Sequence, residues 1–292
     1  MLQQVIDQRR HSLGLLEVGR VLPHRSRRMV GPFVFFDHMG PVQWAAGLPR
    51  EADIRPHPHI GLATISWLFE GWMMHRDSVG SEQPILPGEV NWMTAGSGIT
   101  HSERFEQQRA QGGPLHGIQT WVALPDGQEE IAPSFDHIDA ADVPLIDEPG
   151  LRGRLIAGSA LGLRSPVPVH SPLFYFHLEL APGQVLPLPP GEVAAYVVAG
   201  ALAVGSQTLQ PGQLGVFGPG AQARASEPTT LMLFGGEPVG ERFVDWNFVS
   251  SSRERIEQAK ADWRAGRMKL PDADDQEFIP LPEPPPAANP MS

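Results

Sequence analysis

Hydrophobic positions in this chain fall in short runs that glycine and proline interrupt. The clearest are Phe33–Phe36, Ala63–Phe69, Gly117–Ala123, Leu173–Leu180, Ala194–Val198 and Thr229–Phe234. Pro87-Gly88, Pro182-Gly183 and Pro211-Gly212 stand between such runs as turn signals. Many short strands punctuated in this way predict sandwiches or barrels rather than helical layers. A helical period emerges only near the C-terminus, where Ile256, Ala259 and Trp263 share one face. Ser251-x-x-Glu254 reads as a capping box before it and Gly266 as a stop after it. This helix is expected to pack on the outside of a barrel. The tail from Pro271 turns acidic and then Pro-rich, and is expected to be extended or disordered.

The pattern also repeats. PGEVNWMTAGSGITHSE (Pro87–Glu103) lies over PGQLGVFGPGAQARASE (Pro211–Glu227) without a gap, and ATISWLFEG ending at Gly71 lies over EVAAYVVAG ending at Gly200. Each half reads as strand, glycine turn, strand, Pro-Gly turn, strand. The predicted architecture is all-β: two tandem antiparallel barrels of jelly-roll type and a short C-terminal helix. The expected units are residues 1–135, 136–250 and 251–292.

Composition narrows the chemistry. With 292 residues and 41% hydrophobic content the chain can bury a substantial core. It has no cysteine, so disulfides, zinc-thiolate sites and thiol catalysis are excluded, and any metal must be held by His, Asp or Glu. The net charge of −11 disfavours direct nucleic-acid binding. Arg9, Arg10, Arg20, Arg25, Arg27 and Arg28 form a local basic exception, read as a solvated, salt-bridged surface. The N-terminus lacks the apolar run of a secretory signal, and no hydrophobic stretch follows Arg9-Arg10. The longest apolar run, Val193–Val204, falls short of the roughly 20 residues of a membrane helix. A cytoplasmic monomer is the expectation.

The residues that carry chemistry lie in the first half. His57 and His59, in RPHPHIG, are spaced i, i+2, and so are His101 and Glu103 in ITHSER. In a strand such pairs point to one face. Pro56 and Pro58 cannot continue a helix and bias their neighbours to extended geometry. Two pairs facing each other inside a small barrel supply three nitrogens and one oxygen, with positions left open on an octahedral ion. A lone H-x-H is often two surface histidines; a distant H-x-E in the same barrel makes a site. Imidazole with carboxylate suits Fe, Mn, Co, Ni or Zn. In the repeat, Leu186, Leu188, Ala225 and Glu227 stand where these residues would be. The second barrel therefore has no metal site, and one ion per chain is expected.

His75 has two readings: a donor that orients a ligand or the bound molecule, or a rim histidine bonded to Asp77. Trp92 and Met93 read as core or pocket wall. Asp37 and His38 are adjacent, point to opposite faces and so do not share a ligand. His116 is expected to serve a turn. Gln119 could face into the barrel, but nothing in the sequence fixes its direction.

HPHIGLATISWLFEG, MMHRDSVG and ILPGEVNWMTAGSGITHSE closely resemble the signature of the pirin family, within the cupin superfamily. FVFFDHMGP, GIQTWVALP and WNFVSSSRERIEQAKADW are similar to it too, so the resemblance runs from about Arg20 to Pro280. It implies a bicupin with metal in the N-terminal barrel alone, normally iron, on His57, His59, His101 and Glu103. Fe(II) is thus the expected ion, with Mn, Ni, Co, Cu and Zn left open. It further implies quercetin 2,3-dioxygenase activity on a flavonol; Glu103, the only obvious carboxylate near the metal, is then the expected base for its 3-hydroxyl proton. For animal members it implies a redox-sensitive transcription cofactor, so a regulatory role through a protein partner is the alternative. Where many members have HPHRGFET this chain has HPHIGLAT, and Ile60 and Ala63 are expected to make the site more apolar.

Overall fold

A computed structural model describes residues 1–283. Among them helix is confined to Arg50–Ala52, Glu106–Gln111 and Arg253–Arg264, and the rest is strand and turn. No helix among them is long and apolar enough to cross a membrane. The end of the Pro-rich tail lies outside the described residues.

Two large antiparallel sheets carry the all-β, two-barrel architecture. In the first, the strand order is Ser134–Ile138, Val90–Thr94, Leu62–Glu70, Gly113–Ala123, Phe33–Trp44, Leu16–Leu22, Arg9–Leu13. In the second it is Leu2–Asp7, Gln213–Phe217, Glu192–Ala199, Thr229–Gly236, Leu173–Leu180, Leu151–Ala160, Leu145–Glu148. The two orders match position by position, so the repeat in the sequence is a repeat of topology. The outermost strands are exchanged. Leu2–Asp7, which opens the chain, pairs with Gln213–Phe217 of the second sheet. Ser134–Ile138, which follows the first barrel, pairs back onto Val90–Thr94. Each exchange covers an edge whose N–H and C=O groups would otherwise be unpaired.

A smaller sheet closes each barrel. In the first half its order is Ile54–His59, Ile99–Arg104, Met73–Asp77, Glu82–Ile85. The second half keeps Gln207–Leu209, Leu202–Val204 and Arg224–Ala225. There the counterpart of Ile54–His59 is a non-strand segment in which Val185 forms an isolated bridge to Arg224.

The two large sheets pack face to face. Phe33, Phe36, Trp67 and Trp92 from one meet Tyr175, Tyr196 and Phe234 from the other, all buried. Phe36 lies 4.8 Å from Tyr196 and 5.3 Å from Phe234, centroid to centroid. Burial of each such ring contributes about 1.5–3 kcal/mol, which makes this interface the main adhesive between the halves. Trp92 is therefore core. In the strand Phe33–Trp44, Phe33 and Phe36 face the other sheet, whereas Val34 and Phe35 belong to the cluster inside the first barrel. A register shift in its pairing with Gly113–Ala123 accommodates this break in alternation. The second barrel is filled with Leu155, Phe176, Leu178, Leu186, Leu202 and Leu231, among others. Leu186 and Ala225, which replace two of the histidines, are part of that filling, and Glu227 is exposed.

The C-terminal helix buries Ile256, Ala259 and Trp263 against Ile60 and Phe248, on the outside of the first barrel. Its cap is one residue later than the sequence pattern suggests: Ser252, not Ser251, accepts from the Arg255 N–H at 3.3 Å. Ser251 is instead taken up by Glu129, to which its N–H donates at 2.8 Å. Gly266, at φ +65°, ends the helix.

Candidate metal centre

Ile54–His59 is the edge of the smaller sheet and pairs only with Ile99–Arg104. An edge is where a strand containing Pro56 and Pro58 can sit, since neither proline has an N–H to give. His101 lies opposite His57 in the pairing, and Ile99 opposite His59. The i, i+2 spacing does turn the histidines to one side. His57, His59 and His101 are all buried, and each offers a ring nitrogen within 4.8 Å of the others. Glu103 stands beside this triad rather than within the 4.8 Å set. Its Oε1 is 3.5 Å from His101 Nδ1.

The remaining hydrogen bonds decide which nitrogens are free. His57 Nδ1 donates to the Arg55 carbonyl at 2.9 Å, and His59 Nδ1 to the Asn247 carbonyl at 3.0 Å. A carbonyl only accepts, so both rings carry their proton on Nδ1 and keep a lone pair on Nε2. His75 is buried behind His101 rather than on the rim. Its Nε2 donates to Asp77 Oδ2 at 2.9 Å, and its Nδ1 lies 3.4 Å from His101 Nδ1. The chain Asp77–His75–His101 thereby places the His101 proton on Nδ1 as well. His101 Nε2 and Glu103 Oε2 are both buried and without a partner. His75 thus bonds to Asp77 as one reading expects, and it backs His101 as the other does, though by accepting from it rather than donating. Its ring also stacks on Phe135 of the exchanged strand, 4.4 Å away.

Burial sets the protonation states. It pushes His57 down to about 4, and His59 and His101 well below their ordinary value, with the neighbouring imidazoles adding to the effect. Burial raises Glu103 to about 7, partly offset by Gln119, whose Nε2 donates to Oε1 at 3.1 Å. The three neutral imidazoles keep unclaimed Nε2 lone pairs, and the buried carboxylate keeps one unpartnered oxygen, Oε2. A divalent cation fits that donor set, and its charge would draw the proton off Glu103.

The cluster opens on a cavity of about 430 Å³, within the range of sites for small organic molecules. His57, Glu103 and Gln119 line it together with Arg20, Phe35, Asp37 and Trp121. Phe35 and Trp121 stack at 3.9 Å, Trp121 meets His59 edge-on at 5.0 Å, and the Arg20 guanidinium lies 4.3 Å from the Phe35 ring centre. Arg20 grips Asp37 through two bonds of 2.7 Å. Arg20 is therefore part of the cavity, not of a solvated basic surface. Asp37 and His38 do point apart: His38 bonds to Tyr196 and His116, each at 2.8 Å. His116 lies within the strand Gly113–Ala123 rather than at a turn.

Ile60 and Ala63 do not make the site more apolar. Ile60 packs under the C-terminal helix and Ala63 faces the core between the large sheets. Gly61 between them, at φ +67°, is where the chain passes the C-terminal half: a Cβ there would sit 2.0 Å from the Val249 carbonyl. That half also supplies parts of the site with no signal in the repeat. Trp246 and Ile279 line the cavity. Trp246 adopts φ +55°, a costly conformation for a bulky side chain, next to the Asn247 carbonyl that holds His59.

A two-barrel cupin with its open histidine cluster in the first barrel is the class of protein that this fold and site define. Family profiles for Pirin and for the Pirin C-terminal cupin domain match residues 15–122 and 175–269. The chain is 60% identical to a pirin-like protein of Caulobacter vibrioides, over 97% of this chain and 100% of that one. It is 31% identical to human Pirin, over 82% and 86% of the two chains. A crystal structure of quercetin 2,3-dioxygenase from Acinetobacter baumannii superposes with a TM-score of 0.87 at 33% identity, covering 98% of this chain and 97% of that one. The chain belongs to the pirin family.

Proposed function

We propose that this chain is a flavonol-opening dioxygenase of the quercetin 2,3-dioxygenase kind, with one Fe(II) held by His57, His59, His101 and Glu103. The observation that carries the proposal is the pair of buried, unpartnered atoms, His101 Nε2 and Glu103 Oε2, beside two histidines whose Nδ1 is already committed. The likeness to the Acinetobacter quercetin 2,3-dioxygenase supports the choice of substrate. A bound metal ion would polarise the hydroxylated substrate and hold it in register with dioxygen.

The chain's own residues do the rest. The Phe35–Trp121 stack gives a flat aromatic wall against which a planar substrate lies. Among the ionisable side chains other than His that line the cavity, Asp37, Glu51, Asp53 and Glu103 outnumber Arg20 and Arg55. A neutral polyphenol fits that balance better than a small anion. Gln119 holds Glu103 Oε1, so Oε2 is the oxygen that would hold the ion, and it would have to loosen from it to take the proton of the flavonol 3-hydroxyl. The deprotonated flavonol then reacts with dioxygen, its ring opens and carbon monoxide leaves.

The test is to load the purified protein with Fe(II) and follow quercetin absorbance together with oxygen uptake. The expected result is loss of quercetin matched by consumption of dioxygen. No turnover with Fe, Mn, Ni, Co or Cu would sink the proposal.

A further inference from the structure

The strand Ile99–Arg104 has two faces with different partners. His101 and Glu103 face the cluster. Thr100, Ser102 and Arg104 face outward, and each is bonded to the chain that follows the C-terminal helix. Thr100 Oγ1 donates to the Lys269 carbonyl. Ser102 Oγ donates to Asp274 Oδ2 at 2.6 Å. Arg104 grips both Asp274 oxygens, at 2.7 and 2.6 Å, and reaches Glu277 at 3.1 Å. The same segment ends against the other histidine strand, where the Ile279 N–H donates to the Pro56 carbonyl at 2.8 Å, next to His57.

Two further observations show why this fastening matters to the cluster. The pairing of Ile99–Arg104 with Ile54–His59 shifts register between His101 and Glu103. On that side the ladder is interrupted between these two residues, so it does not by itself fix their spacing. The Arg104–Asp274 pair is also no surface ion pair: the side chains are 3% and 10% exposed. Charge-assisted, two-pronged and shielded from water, it holds its geometry far better than an exposed bridge would.

We infer that the segment Lys269–Ile279 is a clasp that fixes the metal-binding strands from outside, with Asp274 as its central positioning residue. The inference rests on the reading of His57, His59, His101 and Glu103 as metal ligands. Asp274 is not among the residues that line the cavity; it acts through Ser102 and Arg104, which lie between and beside His101 and Glu103. Fastening of this kind tunes affinity by holding the donors in place before the ion arrives.

The experiment uses the full-length protein loaded with Co(II), whose visible absorption reports coordination geometry. Release to a chelator is timed for the wild type, Asp274→Ala, Ser102→Ala and Asp272→Asn. Asp272 pairs with Lys269 on the exposed side of the same segment and serves as the control. Asp274→Ala is expected to release cobalt about tenfold faster and to alter the visible spectrum. Ser102→Ala removes one hydrogen bond without disturbing a charge, and is expected to speed release by about threefold. It decides the matter if Asp274→Ala does not fold. Asp272→Asn should match the wild type. Wild-type release and spectrum in both Asp274→Ala and Ser102→Ala, or in Ser102→Ala alone where Asp274→Ala does not fold, with the wild type holding one equivalent, overturn the clasp. A wild type that takes up no cobalt overturns the metal reading instead.

Discussion

At the residue scale, the centre depends on which atoms have been left free. His57 and His59 each give one nitrogen to a backbone carbonyl, and His101 gives one to His75. The remaining nitrogens are thereby fixed in the state that binds metal. His75→Ala removes the support of His101 without removing a ligand. It is expected to weaken metal binding by about 10–100-fold, measured by chelator competition. Unchanged affinity would mean that the Asp77–His75–His101 chain positions nothing. Gln119 acts on Glu103 in a similar way. Its hydrogen bond favours the charged carboxylate, so Gln119→Leu should push Glu103 above its present value of about 7. The proposed site holds the ion through the charged carboxylate, so the pH midpoint of metal binding should move upward in a titration. A midpoint that stays put or falls would contradict the role given to Gln119.

At the element scale, the ligand strands were legible because two simple periods coincide in them. The i, i+2 spacing of His57 with His59 and of His101 with Glu103 turned each pair to one side, and Pro56 and Pro58 biased their neighbours to extended geometry. What escaped the sequence has a common cause. The Asn247 and Arg55 carbonyls are backbone atoms, and any residue type supplies them. Arg20, Asp37, Trp246 and Ile279 reach the cavity through pairings distant in sequence, which local pattern does not encode. Ile60 and Ala63 misled for the opposite reason: they neighbour the histidines along the chain but face other layers. Gly61 carries the clearest element-scale test. Its φ of +67° and the 2.0 Å approach of the Val249 carbonyl leave no room for a methyl group. Gly61→Ala is expected to cost about 3 kcal/mol or more, measured by denaturant unfolding. A cost below about 1 kcal/mol would show that the crossover of the C-terminal half can shift freely.

At the scale of the whole molecule, the two halves are similar sheets joined by a shared aromatic core and by exchanged edge strands. The repeat announced the similarity; the exchange of Leu2–Asp7 and Ser134–Ile138 was not legible, because each strand looks the same whichever sheet it joins. Burial of histidines across this assembly gives the metal-free protein a definite pH response. His38, His57 and His177 are pushed down to about 4 by burial, and His59 and His101 lie well below their ordinary value. The unfolded chain takes up these protons from about pH 6.5 downward, whereas the folded chain resists them, His38, His57 and His177 until about pH 4. Their contribution is complete above about pH 6.5 and is lost as the pH falls. Glu103 and Asp37, raised by burial, work in the opposite sense, but two carboxyls oppose five imidazoles. The thermal midpoint of the metal-free protein should therefore fall between about pH 7 and about pH 5. A midpoint that rises over this range would contradict the assignment of neutral buried histidines.

The proposed centre holds one ion, in the first barrel; in the second, Leu186 and Ala225 fill the corresponding space. The most direct measurement is metal content per chain, by elemental analysis after reconstitution and desalting, for the wild type and for His101→Ala. One equivalent of transition metal in the wild type and near none in the variant is the expected result. A wild type that retains no metal, or a variant that retains a full equivalent, would contradict the account.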